Sequence, residues 1–131
     1  MKFLCDTNTL SELAKPQPNP GVVDWASALS SMALSVVTVE EVTFGFIWNS
    51  KPRIQAWFED FVKAHCEILP ITNEIARRAG ELRGTLRARG QTRTQADMLI
   101  AATAQVHALT LVTRNSKDFE GCGIPVLNPF T

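Results

Sequence analysis

The chain has 131 residues, of which 45% are hydrophobic and 20% charged, with 13 basic against 13 acidic side chains. That suits one domain, spanning 1–131, with enough chain to bury a core. The formal net charge of +0 excludes a global pull toward polyanions or anionic membranes, so any such binding must come from a local patch.

Cys5, Cys66 and Cys122 are odd in number and irregular in spacing, which argues against a disulfide framework or a zinc site and suits a reducing cytoplasm. The opening MKFLCDT reaches a charge too soon for a signal peptide. No apolar run approaches the ~18 residues of a membrane helix, so no membrane partner is expected.

In chain order, residues 2–5 read as a short buried strand. Thr7 or Asn8 can cap a helix over 8–15, stopped by PQPNP at 16–20. Val22, Val23, Trp25, Ala26 and Leu29 suggest a second helix. Ala33–Val37 reads as a strand ending in β-branched residues. Thr38-Val-Glu-Glu41 then opens a helix carrying Val42, Phe46 and Ile47. Residues 53–65 place Ile54, Trp57, Phe58, Phe61 and Val62 at helical spacing. Glu67–Pro70 is a brief strand. Asn73 caps a long helix with the stripe Ile75, Ala79, Leu82 and Leu86, ended by Arg89-Gly90 with Gly90 just past the cap. Thr94 starts a helix that is apolar almost all round from Met98 to Val106, the pattern of a buried helix. Leu109–Thr113 and Ile124–Leu127 are the last strands. Alternating strands and helices predict an α/β fold with a mostly parallel sheet.

Polar residues gather where strands end. The first strand runs into Asp6. The second meets Thr38, with Glu41 one turn on. The fourth meets Thr113, Arg114 and Asn115, with Asp118 close behind. Asp97 lies in the first turn of the buried helix. Each acid also has a purely structural reading. Glu41 with Thr38, and Asp97 with Thr94, have capping-box spacing. Asp6 can cap a helix, and Asp118 can hold a turn. Those readings leave unexplained why acids recur at one edge of a parallel sheet, the edge where such sheets bind ligands. Clustered carboxylates raise one another's pKa unless a counter-charge is present. A hard divalent cation supplies one, and it can support in-line displacement at phosphorus.

The pieces LCDTNTLSEL at the start, LSVVTVEEVTFG at 34–45, ADMLIAATAQVHALTLVTRNSKDF at 96–119 and NPF at 128–130 resemble PIN-domain ribonucleases. Among these they resemble the toxins of bacterial VapBC-type toxin–antitoxin pairs, in the FitB-like branch. The resemblance spans nearly the whole chain in the family's order. It implies a three-layer α/β/α sandwich around about five mostly parallel strands. It also implies Mg²⁺- or Mn²⁺-dependent endonucleolytic hydrolysis of RNA.

Asp6, Glu41 and Asp97 match three family acids that act as metal ligands and catalytic groups. Glu41 is chosen over Glu40 because the family acid lies four residues before a glycine, here Gly45. Many members carry a fourth acid where this chain has Asn115, and Asp118 is the nearby substitute. Thr7, Asn8, Thr113 and Asn115 are supporting candidates.

Six arginines against one acid between 77 and 93 offer a local basic patch. Arg87, Arg89 and Arg93, together with Arg114, are candidate RNA contacts; the bland alternative leaves them solvated or paired with a partner chain. The resemblance further implies a cognate VapB/FitA-like antitoxin, a homodimer, and operator DNA reached only through the antitoxin. Trp48, Trp57 and Phe58 are expected mainly in the core, with a partner contact as the second reading.

One rival reading is a catalytically weak binding module that acts with its antitoxin as a DNA-binding repressor complex. Another is a phosphotransferase using Asp6 as nucleophile, weakened because Asn8 stands where that chemistry needs a second acid.

Overall fold

The computed structural model describes residues 2–131; Met1, the first residue of the expected single domain, lies outside them. Five strands form one parallel sheet in the order β3-β2-β1-β4-β5. They are β1 (Phe3–Cys5), β2 (Met32–Ser35), β3 (Cys66–Leu69), β4 (Thr110–Val112) and β5 (Val126–Leu127). Register is set by Leu4 opposite both Ala33 and Leu111, and by Val112 opposite Leu127. The helices are α1 (Thr7–Leu13), α2 (Pro20–Ser27), α3 (Val36–Asn49), α4 (Pro52–His65), α5 (Asn73–Ala88) and α6 (Gln95–Val106). A 3-10 turn covers Ser116–Phe119.

Successive strand residues point to opposite faces, and each face has its own core. Leu4, Ala33 and Leu111 pack with Ile75, Ala79 and Leu86 of α5 and Met98 and Ala101 of α6. On the other face, Cys5, Met32 and Leu34 pack with Leu10 of α1, Val42 and Phe46 of α3 and Phe58 of α4. This is the three-layer sandwich the sequence predicts. Helix α6 is buried as expected, with Met98, Ile100, Ala101, Ala102, Thr103 and Ala104 all inside. None of the described helices is long and apolar enough to cross a membrane.

Several boundaries differ from the sequence reading. β2 stops at Ser35, and Val36 and Val37 belong to α3. The Ser35 hydroxyl accepts from the Val37 N–H at 3.0 Å, so a serine cap overrides the strand preference of two valines. Asp6, rather than Thr7 or Asn8, caps α1, and Thr72, rather than Asn73, caps α5. Helix α5 does end as expected. Gly90 takes φ +80°, the Gly90 N–H donates to the Arg87 carbonyl, and the Gln91 N–H donates to Leu86 at 2.9 Å. These are the paired bonds of a left-handed helix end, which glycine adopts without steric cost.

Trp48 and Ile47 leave the core. They are 75% and 73% exposed, and Trp48 stacks on the exposed Phe44 instead. Both lie on the solvent side of α3, opposite the stripe formed by Val42 and Phe46. Phe58 is buried, and the half-buried Trp57 stacks on Phe61 at 4.9 Å.

Candidate active site

The strand order creates the site. From β1 the chain builds outward through β2 and β3, then returns to the other flank of β1 to lay down β4 and β5. The order therefore reverses between β1 and β4, and a crevice opens beyond their carboxyl ends. Asp6 and Thr113 stand there, each one residue past its strand. The Asp6 N–H donates to the Val112 carbonyl at 3.1 Å, which locks the two strand ends together.

Asp6 is buried, at 6% exposure. Its Oδ1 accepts from the Thr9 N–H at 2.8 Å. The capping reading is thus correct for one carboxylate oxygen and leaves the other available.

The capping reading fails for Glu41. Because α3 starts at Val36, Glu41 sits in its second turn, too deep to cap anything. Its Oε1 accepts from the Thr7 hydroxyl at 2.7 Å. The same hydroxyl lies 3.2 Å from that of Thr38, which is fully buried. Thr38 therefore belongs to the site rather than to a cap, and the sequence reading missed it. Its signal was spacing: three residues before Glu41 is one turn back on the same helix face.

Thr94 caps α6 by accepting from the Asp97 N–H at 3.1 Å. The Asp97 carboxyl is held above its ordinary value. Burial is the main cause, the Thr94 hydroxyl offsets part of it, and the charges of Asp118, Glu41 and Asp6 add to it. The charges of acids on three other segments thus reach Asp97.

Asp118 is exposed on the 3-10 turn. That turn is held from both sides. Thr113, fully buried, accepts from the Asn115 N–H at 3.0 Å, and the Asn115 carbonyl accepts from the Asp118 N–H at 3.0 Å. Arg93 donates to the carbonyls of Lys117 and Glu120 at 3.4 and 3.1 Å. The guanidinium of Arg93, a candidate RNA contact, braces the turn on either side of Asp118 against the start of α6. Arg93 therefore ties the turn that carries Asp118 to the residues just before α6, whose first turn carries Asp97. Arg87 and Arg89 stand exposed at the end of α5, outside both clefts that flank the acids.

Those clefts differ in character. One, of about 400 Å³, begins at Thr7 and Glu41 and continues between α1, α3 and α4 along Leu10, Phe46, Ile54 and Trp57. Its walls are mostly apolar. The other, of about 550 Å³, is lined by Asn8, Ser11, Glu12, Lys15, Arg114, Asn115 and Phe130.

The donor set suits a small hard cation: carboxylate oxygens only, with a charge repulsion that a cation would relieve. Among the described residues no three Asp, Glu, His or Cys side chains stand close enough together to hold a metal ion by themselves. An ion here would complete its shell with water and substrate oxygens, as Mg²⁺ commonly does.

Residues 3–121 match the PIN domain family, and the chain belongs to that family. It is 33% identical to the toxin FitB of Neisseria gonorrhoeae over 136 aligned positions, covering 98% of each chain. It is 30% identical to the tRNA(fMet)-specific endonuclease VapC of Salmonella typhimurium, covering 92% of this chain and 91% of that one. Among solved structures, a toxin–antitoxin complex from Klebsiella pneumoniae superposes with a TM-score of 0.79 at 30% identity, covering 98% of both chains. DNA-bound VapBC from Salmonella typhimurium superposes with a TM-score of 0.84 at 28% identity, covering 97% of both.

Proposed function

We propose that this chain is a metal-dependent endoribonuclease, the toxin of a bacterial type II toxin–antitoxin pair acting in the cytoplasm. The observation that carries the reading is the Asp97 carboxyl, held up by burial and by the charges of Asp118, Glu41 and Asp6, with Asp6 standing at the β1/β4 crevice. Likeness to FitB and to an endonuclease VapC supports the activity. Likeness to toxin–antitoxin and DNA-bound complexes supports a cognate antitoxin and operator DNA reached through it. A homodimer is part of the same reading. The apolar cleft beside Glu41 is the surface on which an antitoxin segment would lie.

In this reading Asp6, Asp97, Glu41 and Asp118 hold the cation, Mg²⁺ or Mn²⁺. Bound there, it supplies Lewis acidity at phosphorus and an acidified water. The chain's own residues do the positioning. Thr7 fixes one oxygen of Glu41 and leaves the other free. The Thr9 N–H fixes one oxygen of Asp6 in the same way. Arg93 and Thr113 keep the Asp118 turn closed over the start of α6. Asn115 serves as a supporting group beside Asp118, the fourth ligand of this reading.

Purified chain freed of antitoxin is expected to cleave a mixed RNA pool in Mg²⁺ or Mn²⁺ and to stop in EDTA. RNA left intact by folded protein in both metals would contradict the proposal. The repressor-only reading then becomes the stronger one.

A further inference from the structure

An RNA strand must approach a site carrying four carboxylates, so a cation is needed close to the reacting phosphate. Arg93 is occupied by backbone carbonyls, and Arg87 and Arg89 lie outside the clefts. Arg114 stands one residue past Thr113, at the mouth of the crevice. Its guanidinium carbon lies 4.8 Å over the Phe130 ring, and among the described residues it makes no hydrogen bond or ion pair. The contact with the ring leaves the guanidinium N–H groups without partners among the described residues, an arrangement suited to phosphate.

Around it, the side-chain amides of Asn8 and Asn115 are likewise without hydrogen-bond partners among the described residues, and both line the same cleft. Asn8 is two residues from Asp6 in the chain, and Asn115 three from Asp118, although none of the four acids lines the cleft itself. Lys15 is engaged by Glu12 at 2.8 Å and adds little free charge. This polar cleft, unlike the apolar one beside Glu41, offers Arg114, two amides and an aromatic ring, with the Glu12 carboxylate, bonded to Lys15 and near enough to feel the Arg114 charge, on its wall.

We infer that this cleft is a substrate subsite for single-stranded RNA next to the cleaved bond. Arg114 pairs with a neighbouring phosphate, one base lies against Phe130, and Asn8 and Asn115 hydrogen-bond to that nucleotide. The inference rests on the nuclease reading, and it is tested by binding rather than by cleavage so that the two can fail separately.

The probe is a short fluorescein-labelled oligoribonucleotide of mixed sequence, titrated by anisotropy with the full chain in EDTA over a range of salt. Arg114→Ala and Arg114→Gln are each expected to weaken binding about tenfold and to lower the log–log salt slope by about 0.7, the value for one lost phosphate contact on a single strand. Phe130→Ala is expected to weaken binding about fivefold or more with the slope unchanged, since stacking is salt-tolerant. Arg114 variants that match wild type in affinity and slope would overturn the subsite while leaving the nuclease reading intact. No binding by wild type would overturn it as well. Normal Arg114 dependence in a chain that cleaves nothing in Mg²⁺ would keep the subsite and remove the nuclease reading.

Discussion

In EDTA, Asp97→Asn is expected to melt above the wild-type chain, while in Mg²⁺ it cleaves RNA at least about 100-fold more slowly. Both effects come from one carboxyl. Its pKa in the folded chain is raised, chiefly by burial and further by Asp118, Glu41 and Asp6. A carboxyl whose folded value exceeds its unfolded value binds its proton more tightly when folded. Its contribution therefore favours the fold at low pH and turns unfavourable as pH rises through the ordinary value toward the raised one. At neutral pH the ionised Asp97 costs stability, and the neutral amide removes that cost while keeping the cap made by Thr94 to the residue-97 N–H.

The gain should shrink as pH falls toward the ordinary carboxylate range. Adding Mn²⁺ should reverse the order, because a cation that binds only the folded wild type stabilises it by mass action. Thermal melts at two pH values, with and without Mn²⁺, check each part. A lower melting point for Asp97→Asn in EDTA at neutral pH would refute the charge argument.

Gly21→Ala is expected to destabilise the chain by about 1–2 kcal/mol, lowering Tm by several degrees. Gly21 lies in the first turn of α2, where the segment Asn128–Thr131 crosses. A Cβ there would stand 2.2 Å from the Pro129 carbonyl oxygen and 2.6 Å from Thr131 Cγ2. The first neighbour is backbone and cannot rotate away. The crossing segment is pinned by Asn19, whose Oδ1 accepts from the N–H groups of Gly21 and Thr131 at 3.0 and 3.1 Å and whose Nδ2 donates to the Thr131 carbonyl. Asn19 is itself fixed by the Glu12 carboxylate at 2.9 Å. The better helix propensity of alanine, worth up to about 1 kcal/mol, offsets only part of the clash. Chemical denaturation of the two proteins measures the difference, and equal stability would show that the segment yields freely.

How legible this was in the sequence depended on what competed locally. The apolar surround of α6 and the stripe of α5 left no alternative, and both helices stand where their patterns put them. The end of β2 was not legible, because Val36 and Val37 favour strand while one local hydrogen bond, from the Val37 N–H to the Ser35 hydroxyl, starts a helix. That shift of register changes the meaning of Thr38 and Glu41 from a cap to a pair of site residues joined through Thr7.

The places of Asp6, just after a strand, and Asp97, within a first helical turn, were legible in the sequence. The role of Arg93 could not be found that way, since its partners are carbonyls more than twenty residues ahead. The exposure of Ile47 and Trp48 was hidden for a related reason. Helix α3 is apolar over most of its surface, so periodicity alone does not say which side meets the sheet.

The central claim is that these acids form one cation site. Calorimetric titration of Mn²⁺ into the wild-type chain and into Asp6→Asn, Glu41→Gln, Asp97→Asn and Asp118→Asn tests it without reference to any RNA. The structure predicts a wild-type site weakened at least about tenfold by the Asp6 and Asp97 changes, with a smaller loss for Asp118→Asn, whose side chain is exposed. Mn²⁺ binding of wild-type strength in folded Asp6→Asn and Asp97→Asn proteins would contradict it.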